Sequence, residues 1–136
     1  MSKIVLVSAC LLGIRSRYDG ASKLSPRVLE LLPRHFLLPV CPEQLGGLPT
    51  PRPPADLYGG DGWEVLAGKA RVITREGEDV TRAFVRGAEE VARIVQIFGI
   101  KKALLKARSP SCGLTPRVGV CAAKLLSLGL NLIEID

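Results

Sequence analysis

Short apolar runs that alternate with helix-like segments most strongly constrain the fold of this chain. Four runs have the length and apolar content of buried strands: IVLV (4–7), FLLPV (36–40), KKALLKA (101–107) and NLIEID (131–136). Parallel strands need long connections, which are usually helical. This order therefore predicts an α/β fold with a mainly parallel sheet flanked by helices in Rossmann-like layers.

The strongest predicted helix covers residues 81–98. Phe84, Val91 and Val95 recur at helical spacing, and Gly99 follows as a typical C-terminal residue. Asp79 or Thr81 is expected to cap its start.

Two shorter helices are also predicted. Residues 25–35 (SPRVLELLPRH) begin with Ser25 as N-cap and Pro26 at the first helical position. Residues 118–128 are closed by Gly129.

The middle of the chain is predicted to contain a long loop and a hairpin. Residues 42–62 (PEQLGGLPTPRPPADLYGGDG) are so rich in proline and glycine that we expect no regular element there. A long ordered loop of this kind is usually functional. WEVLAG (63–68) and ARVITREG (70–77) are expected to form a β-hairpin that turns near Gly68.

Length, composition and charge limit the class of protein. A chain of 136 residues with 47% apolar residues suits a single domain over residues 1–136. No apolar run reaches the roughly 18 residues of a membrane helix, and the run before Cys10 is too short for a secretory leader. We therefore expect a cytoplasmic protein with reduced thiols. The net charge is +6, but the arginines are scattered and aromatics are few, so a nucleic-acid partner is not expected.

Three of the four cysteines follow predicted strands. Cys10, Cys41 and Cys112 each come after an apolar run, so parallel neighbouring strands would bring their thiols to one edge of the sheet. Two interpretations stay open: a shared metal or cluster site, or buried cysteines that only pack as small apolar residues. Cys121 lies within a helical pattern beside alanines, where core packing is favoured.

Several motifs together resemble the thiouracil desulfidases, a family of small bacterial and archaeal proteins. They span nearly the whole chain: SACLLG with RYDG, PVCPEQLGGLPTPRPPAD, GEDVTRAFVRGAEE, LLKARSPSCG and GVCAAKLL. Cys121 departs from the pattern, since threonine is expected at that position.

The resemblance implies a [4Fe–4S] cluster held by Cys10, Cys41 and Cys112, with one iron left open. An open iron acts as a thiophilic Lewis acid for the sulfur of a small thio-heterocycle such as 2-thiouracil. The implied reaction is a non-redox exchange of sulfur for oxygen with release of sulfide. The alternative is a non-catalytic iron–sulfur or metal-binding carrier or sensor that uses the same cysteines.

Neighbours of the cysteines are the candidate catalytic and substrate-binding residues. Glu43 is the candidate acid/base, and the alternative for it is a structural hydrogen bond that closes the proline-rich loop. Ser109 or Ser111 is expected to bind the pyrimidine edge or to orient water, with Ser109 assigned to catalysis and Ser111 to substrate binding.

The segment after Cys10 supplies further candidates. Arg17, Tyr18 and Asp19 are expected to bind the heterocycle or to form a lid over it. The alternative for Arg17 and Asp19 is an exposed turn without a role in binding.

Overall fold

A parallel sheet of four strands lies at the centre of the computed structural model, which describes residues 4–136. In chain order the elements are β1 (Ile4–Ser8), α1 (Pro26–Leu29), β2 (Phe36–Val40), α2 (Pro42–Leu45), β3 (Ala55–Tyr58), α3 (Gly62–Leu66), β4 (Arg71–Thr74), α4 (Thr81–Phe98), β5 (Lys102–Lys106), α5 (Val120–Ser127) and β6 (Asn131–Ile135). The sheet order is β2-β1-β5-β6, and every pair is parallel. The predicted fold class is confirmed, while the first three residues of the predicted domain lie outside the described range.

Both faces of the sheet are covered, because alternate strand residues point to opposite sides. On one face, Leu6 of β1 and Leu105 of β5 pack in a cluster with Phe84 of α4 and Leu125 of α5. On the other face, Val5, Val7 and Leu104 form a smaller cluster with Leu11 and Val28. This two-sided burial explains why the strands are almost continuously apolar.

The longest helix matches its prediction. α4 covers Thr81–Phe98, and Gly99 follows with a left-handed φ of 64°. The predicted cap is wrong in its position: the N-cap is Val80, which makes no side-chain cap, and the Asp79 carboxylate before it accepts the Thr81 N–H at 2.9 Å. No helix among residues 4–136 is long and apolar enough to cross a membrane.

The predicted hairpin is wrong in its first strand. WEVL lies in α3, not in a strand, and β4 instead pairs antiparallel with β3. Asp61 and Glu64 explain the difference. The Asp61 carboxylate accepts the Trp63 and Glu64 N–H groups, and Glu64 accepts the Asp61 N–H, so the two form a capping box that starts a helix.

Two further predictions need correction. The proline- and glycine-rich stretch 42–62 does contain regular elements, namely α2 and β3. The helix predicted over 25–35 is only the single turn α1, with Pro26 at its first position. Val28 is buried, but Leu32 is 51% exposed, because the chain continues in turns after α1 and Pro33 cannot extend the helix.

Candidate active site

A cavity of about 420 Å³ opens at the carboxyl ends of β1, β2 and β5. All three predicted ligand cysteines line it, together with both predicted catalytic residues: Cys10, Cys41, Cys112, Glu43 and Ser109. Ligands of open parallel sheets bind at this edge. These five side chains therefore surround one cavity, while their roles in cluster binding and catalysis stay predictions.

Cys10 and Cys41 come from neighbouring strands. Cys10 lies in a 3-10 turn (Ala9–Leu12) directly after β1 and is buried, whereas Cys41 directly follows β2 and is half-buried. The Cys41 thiol donates to the Ser16 carbonyl oxygen at 3.6 Å. Burial raises the pKa of the Cys10 thiol, while the positive charges of Lys106 and Arg17 oppose that rise.

Cys112 lies in a tight loop after β5. The Ser109 hydroxyl oxygen accepts the N–H groups of Ser111 (3.1 Å) and Cys112 (3.0 Å), which folds SPSC into a compact turn. Burial raises the pKa of the Cys112 thiol to about 12, against hydrogen bonds from Ser8 and Ser111 that lower it. A metal that binds this thiol must therefore displace its proton.

Close backbone contacts hold this loop and the Glu43 helix in place. A Cβ on Gly87 of α4 would lie 1.9 Å from the Pro42 carbonyl oxygen. A Cβ on Gly46 would lie 2.0 Å from the Ala83 carbonyl oxygen. α2 therefore packs on α4 through glycine, with main chain against main chain. On the other side, a Cβ on Gly119 would lie 2.6 Å from the Ser111 carbonyl carbon.

Glu43 lies on the first turn of α2 and is held on both carboxylate oxygens. Oε1 accepts from Arg52 Nε at 2.8 Å, and Oε2 accepts from the Ser111 hydroxyl at 3.0 Å. Its side chain is 13% exposed. Glu43 therefore meets the cavity in a fixed orientation.

Sequence reasoning missed Arg52, which anchors the whole proline-rich loop. Its side chain is only 5% exposed. Besides Glu43, its guanidinium donates to the carbonyl oxygens of Pro49 (3.2 Å) and Ser16 (2.9 Å) and to the Thr50 hydroxyl (2.9 Å). Nη2 also lies 3.9 Å from Cys41 Sγ. The single basic residue within the proline-rich stretch 42–62 was the signal that could have indicated it.

Ser109, Ser111 and Glu43 form one chain of hydrogen bonds. The two serine hydroxyls lie 3.0 Å apart, and Ser111 in turn donates to Glu43. Because Ser109 accepts two backbone N–H groups, its own proton is free to point toward Ser111. Ser111 is 2% exposed, so it contributes far less surface to the cavity than a substrate-binding residue usually does.

The segment after Cys10 reaches the cavity only in part. Arg17 and Tyr18 line it, and the Arg17 guanidinium lies 5.7 Å from the Tyr18 ring centre. Asp19 is absent from the lining: its carboxylate accepts the Ala21 N–H at 3.0 Å and pairs with Arg17 at 3.6 Å. Its contacts are those of the alternative interpretation, an exposed turn.

Several charged lining residues were not predicted. Lys23, Lys106 and Arg108 add positive charge, and Asp136 pairs with Arg108. Burial lowers the pKa of Lys106, while the nearby Cys10 thiol opposes that change. Arg108 has a left-handed φ of 62°, which is rare outside glycine and turns the chain from β5 into the serine loop.

The whole chain also resembles known proteins. The family model described as 2-thiouracil desulfurase matches residues 5–133. The chain belongs to this family. The Bacillus subtilis (strain 168) protein YbbK, described as uncharacterized, is 41% identical over 110 residues, which cover 81% of this chain and 73% of YbbK. The resemblance inferred from the motifs is confirmed.

A solved structure of a 2-thiouracil desulfurase relative agrees with the fold. The [4Fe-4S]-dependent thiouracil desulfidase TudS matches with a TM-score of 0.84 and 39% identity, and the match covers 99% of this chain and 92% of that one. Its cofactor raises the question of whether the residues here suit an iron–sulfur cluster.

The cavity has the donor chemistry of a cluster site. Within residues 4–136, no three His, Cys, Asp or Glu side chains form a group that could hold a single metal ion. A cubane binds each cysteine through a different iron, so its ligands do not have to converge on one point. All four thiols are free, three line one cavity, and Arg52 and Ser111 offer hydrogen bonds to sulfur. These residues fit the group.

Proposed function

We propose that this protein desulfurates a thiouracil-type pyrimidine in an iron–sulfur-dependent, non-redox reaction. Water replaces sulfur at the thiocarbonyl carbon, so the oxo-pyrimidine forms and hydrosulfide leaves. A single observation carries the proposal: three free cysteines, a fixed carboxylate and a serine line one cavity in a member of the 2-thiouracil desulfurase family.

Cys10, Cys41 and Cys112 would hold the cluster. With three thiolate ligands the cluster would have one iron left open, which would supply a thiophilic Lewis acid for the sulfur of the thiocarbonyl group. The cations that line the cavity favour an anionic cluster, since Arg17 and Lys106 both act on the Cys10 thiol.

Glu43 would serve as the acid/base of the reaction. Each of its oxygens already accepts one hydrogen bond and keeps a lone pair for a water molecule. Glu43 takes a proton from the water that attacks the thiocarbonyl carbon. It then returns that proton to the departing sulfur. The second proton of the water is released as the C=O bond forms, so hydrosulfide and one proton leave and the carboxylate is regenerated.

Ser109 would orient the attacking water or the pyrimidine edge once its hydroxyl proton turns from Ser111 toward the cavity, since its oxygen already accepts two backbone N–H groups. Ser111 links Ser109 to Glu43, so a proton at the Ser109 hydroxyl is two hydrogen bonds from the carboxylate. Its burial makes Ser111 a support for Glu43 more than a surface for the heterocycle. Binding of the ring would fall to Arg17 and Tyr18, which line the cavity with the Arg17 guanidinium 5.7 Å from the Tyr18 ring centre. Asp19 would contribute indirectly, by stabilising the turn that holds Arg17 and Tyr18 at the cavity.

Anaerobic reconstitution tests the proposal. The protein is loaded with iron and sulfide, its iron content and its broad absorption near ~400 nm are measured, and sulfide release from 2-thiouracil is then followed. We expect C10S, C41S and C112S each to lose the cluster and the activity. C121S is the matched control, because Cys121 is buried in α5 and is expected only to pack, so it should retain both.

Each outcome discriminates between functions. A loaded wild type that releases no sulfide from any thio-pyrimidine would support a carrier or sensor and contradict the enzyme. A wild type that releases sulfide without iron would contradict the cluster. Loss of iron in C121S, with iron retained in one of the other three variants, would show that the ligand set is wrong.

A further inference from the structure

The guanidinium of Arg52 is buried and fully engaged. It has five N–H groups, and the structure gives it five acceptors: one carboxylate oxygen, two carbonyl oxygens, one hydroxyl and one thiol sulfur. Removing such a charge from water is costly unless each donor finds a partner. The site is therefore built around this one side chain.

These acceptors divide into two groups. The carbonyl oxygens of Ser16 and Pro49 and the Thr50 hydroxyl tie loops together, as a structural arginine would. The remaining two belong to the proposed chemistry: Glu43 Oε1 at 2.8 Å and Cys41 Sγ at 3.9 Å. A loop anchor alone has no need of the last two.

From this arrangement we infer that Arg52 is a positioning residue, whose guanidinium sets the Glu43 carboxylate and the Cys41 sulfur relative to each other by contacting both. The inference rests on the proposed roles of Glu43 and Cys41 and deepens them. Nε and Nη2 belong to one rigid plane, so a displacement of either partner must displace the other or break a bond.

The planar fork makes the role specific to arginine. Lysine carries the same charge on a single nitrogen and cannot face Glu43 Oε1, the Ser16 carbonyl and Cys41 Sγ with separate, fixed donors. R52K is therefore the informative variant, because it keeps the charge and most of the volume. R52Q removes the charge as well. R71K is the matched control, since Arg71 pairs with Asp79 at 3.2 Å on the exposed hairpin.

A double-mutant cycle tests the link to Glu43. We expect R52K to lower kcat for 2-thiouracil about 10- to 100-fold with little change in KM, as for the loss of a charge-assisted hydrogen bond. R71K should match the wild type. In an E43Q background, adding R52K should change kcat by less than about twofold, because the residue through which Arg52 acts is already disabled. If R52K instead lowers kcat by the same factor in the E43Q background as in the wild type, the inference is wrong.

The reduction potential of the loaded cluster tests the link to Cys41 without any turnover. Removing a cation and an N–H donor beside a ligand sulfur disfavours the added electron. R52Q should therefore shift the midpoint potential to a more negative value, and R52K should shift it less. An unchanged potential in both variants would contradict the contact with Cys41.

Other outcomes are equally decisive. If R52K does not fold while R71K does, as judged by circular dichroism and thermal melting, Arg52 is a loop anchor and the inference is wrong. If the wild type itself releases no sulfide, the proposed function fails, and the potential still decides whether Arg52 acts on Cys41. A wild-type kcat and potential in R52K would leave the proposed function intact and remove the inference alone.

Discussion

Two carboxylates hold two of the three cysteine-bearing loops, and they do so in different surroundings. Glu43 fixes the loop after β2 from a nearly buried position, with a buried arginine as its partner. Glu134 of β6 fixes the loop after β5 from a half-exposed position. It accepts the Leu114 N–H (2.7 Å), the Thr115 N–H (2.9 Å) and the Thr115 hydroxyl (2.8 Å).

The difference separates a functional carboxylate from a structural one. The hydrogen-bond partners of Glu134 are all neutral groups of one loop segment, and the Arg108 charge adds a weaker interaction, so Glu134 can be replaced at modest cost. Glu43 bonds to side chains from two other segments and faces the cavity with the cysteines. The same residue type therefore caps one loop and is proposed to perform chemistry in the other.

The same amide substitution at both glutamates gives the largest contrast. We expect E43Q to lower sulfide release from 2-thiouracil by roughly 10²- to 10⁴-fold, the usual contribution of a positioned acid/base, with the cluster retained. E134Q should lower it only slightly, because Glu134 does not line the cavity. Steady-state rates on loaded protein with equal iron content measure this. Equal losses in the two variants would remove the distinction.

The glycine contact between α2 and α4 tests whether the position of Glu43 matters. In G87A the new Cβ would meet the Pro42 carbonyl oxygen, so α2 must shift. We expect a loss of about 1–3 kcal/mol in the free energy of unfolding and a lower kcat. Urea unfolding and sulfide assays measure these. R86A, on the neighbouring exposed position of α4, is the control and should leave both unchanged; a fully active G87A would contradict the argument.

Removal of the Thr115 hydroxyl probes the Glu134 cap alone. T115V removes one of the three hydrogen bonds that the Glu134 carboxylate accepts. Because this bond lies on an exposed loop, the free energy of unfolding should fall by about 0.5–1.5 kcal/mol. Sulfide release should stay near the wild-type value. Urea unfolding checks the stability. A large loss of activity in T115V would mean that the Cys112 loop depends on this cap more than we infer.

The smallest expected effect is the pH dependence of the Glu134 cap. Burial alone would raise the pKa of Glu134, but hydrogen bonds from Leu114 and Thr115 outweigh it, so the pKa lies below its usual value. Its contribution is therefore fully present above the unfolded pKa of about 4.3 and is lost as pH falls through the lower folded value. The urea concentrations at the unfolding midpoints of wild type and E134Q should therefore become more similar as pH is lowered. A difference between the two midpoints that does not change with pH would contradict this.

The elements that sequence could predict are those set by local pattern. FLLPV became β2 and residues 81–98 became α4 because apolar periodicity and flanking turn residues suffice to define them. The strand predicted for WEVL was wrong because the capping box of Asp61 and Glu64 starts a helix there. Both residues of that capping box can be read in the sequence.

The site was predictable in its members but not in its connections. Three cysteines and Glu43 could be assigned to one sheet edge, since parallel strands bring their carboxyl ends together. Arg52 could not, because it meets Ser16 across 36 positions and Cys41 across 11 only after the loops fold. The inward turn of Ser111 likewise depends on a long-range contact, its hydrogen bond to Glu43, whereas Asp19 is held by local contacts with Arg17 and Ala21.

The touching backbones of α2 and α4 restrict how this pocket can be redesigned. Ordinary helix interfaces accept compensating swaps of larger and smaller side chains. At Gly46 and Gly87 there is no volume to trade, so the floor under Glu43 cannot be widened by repacking. If the protein is selected for bulkier thio-heterocycles, we therefore expect the accepted substitutions at other residues that line the cavity, such as Arg17 and Tyr18.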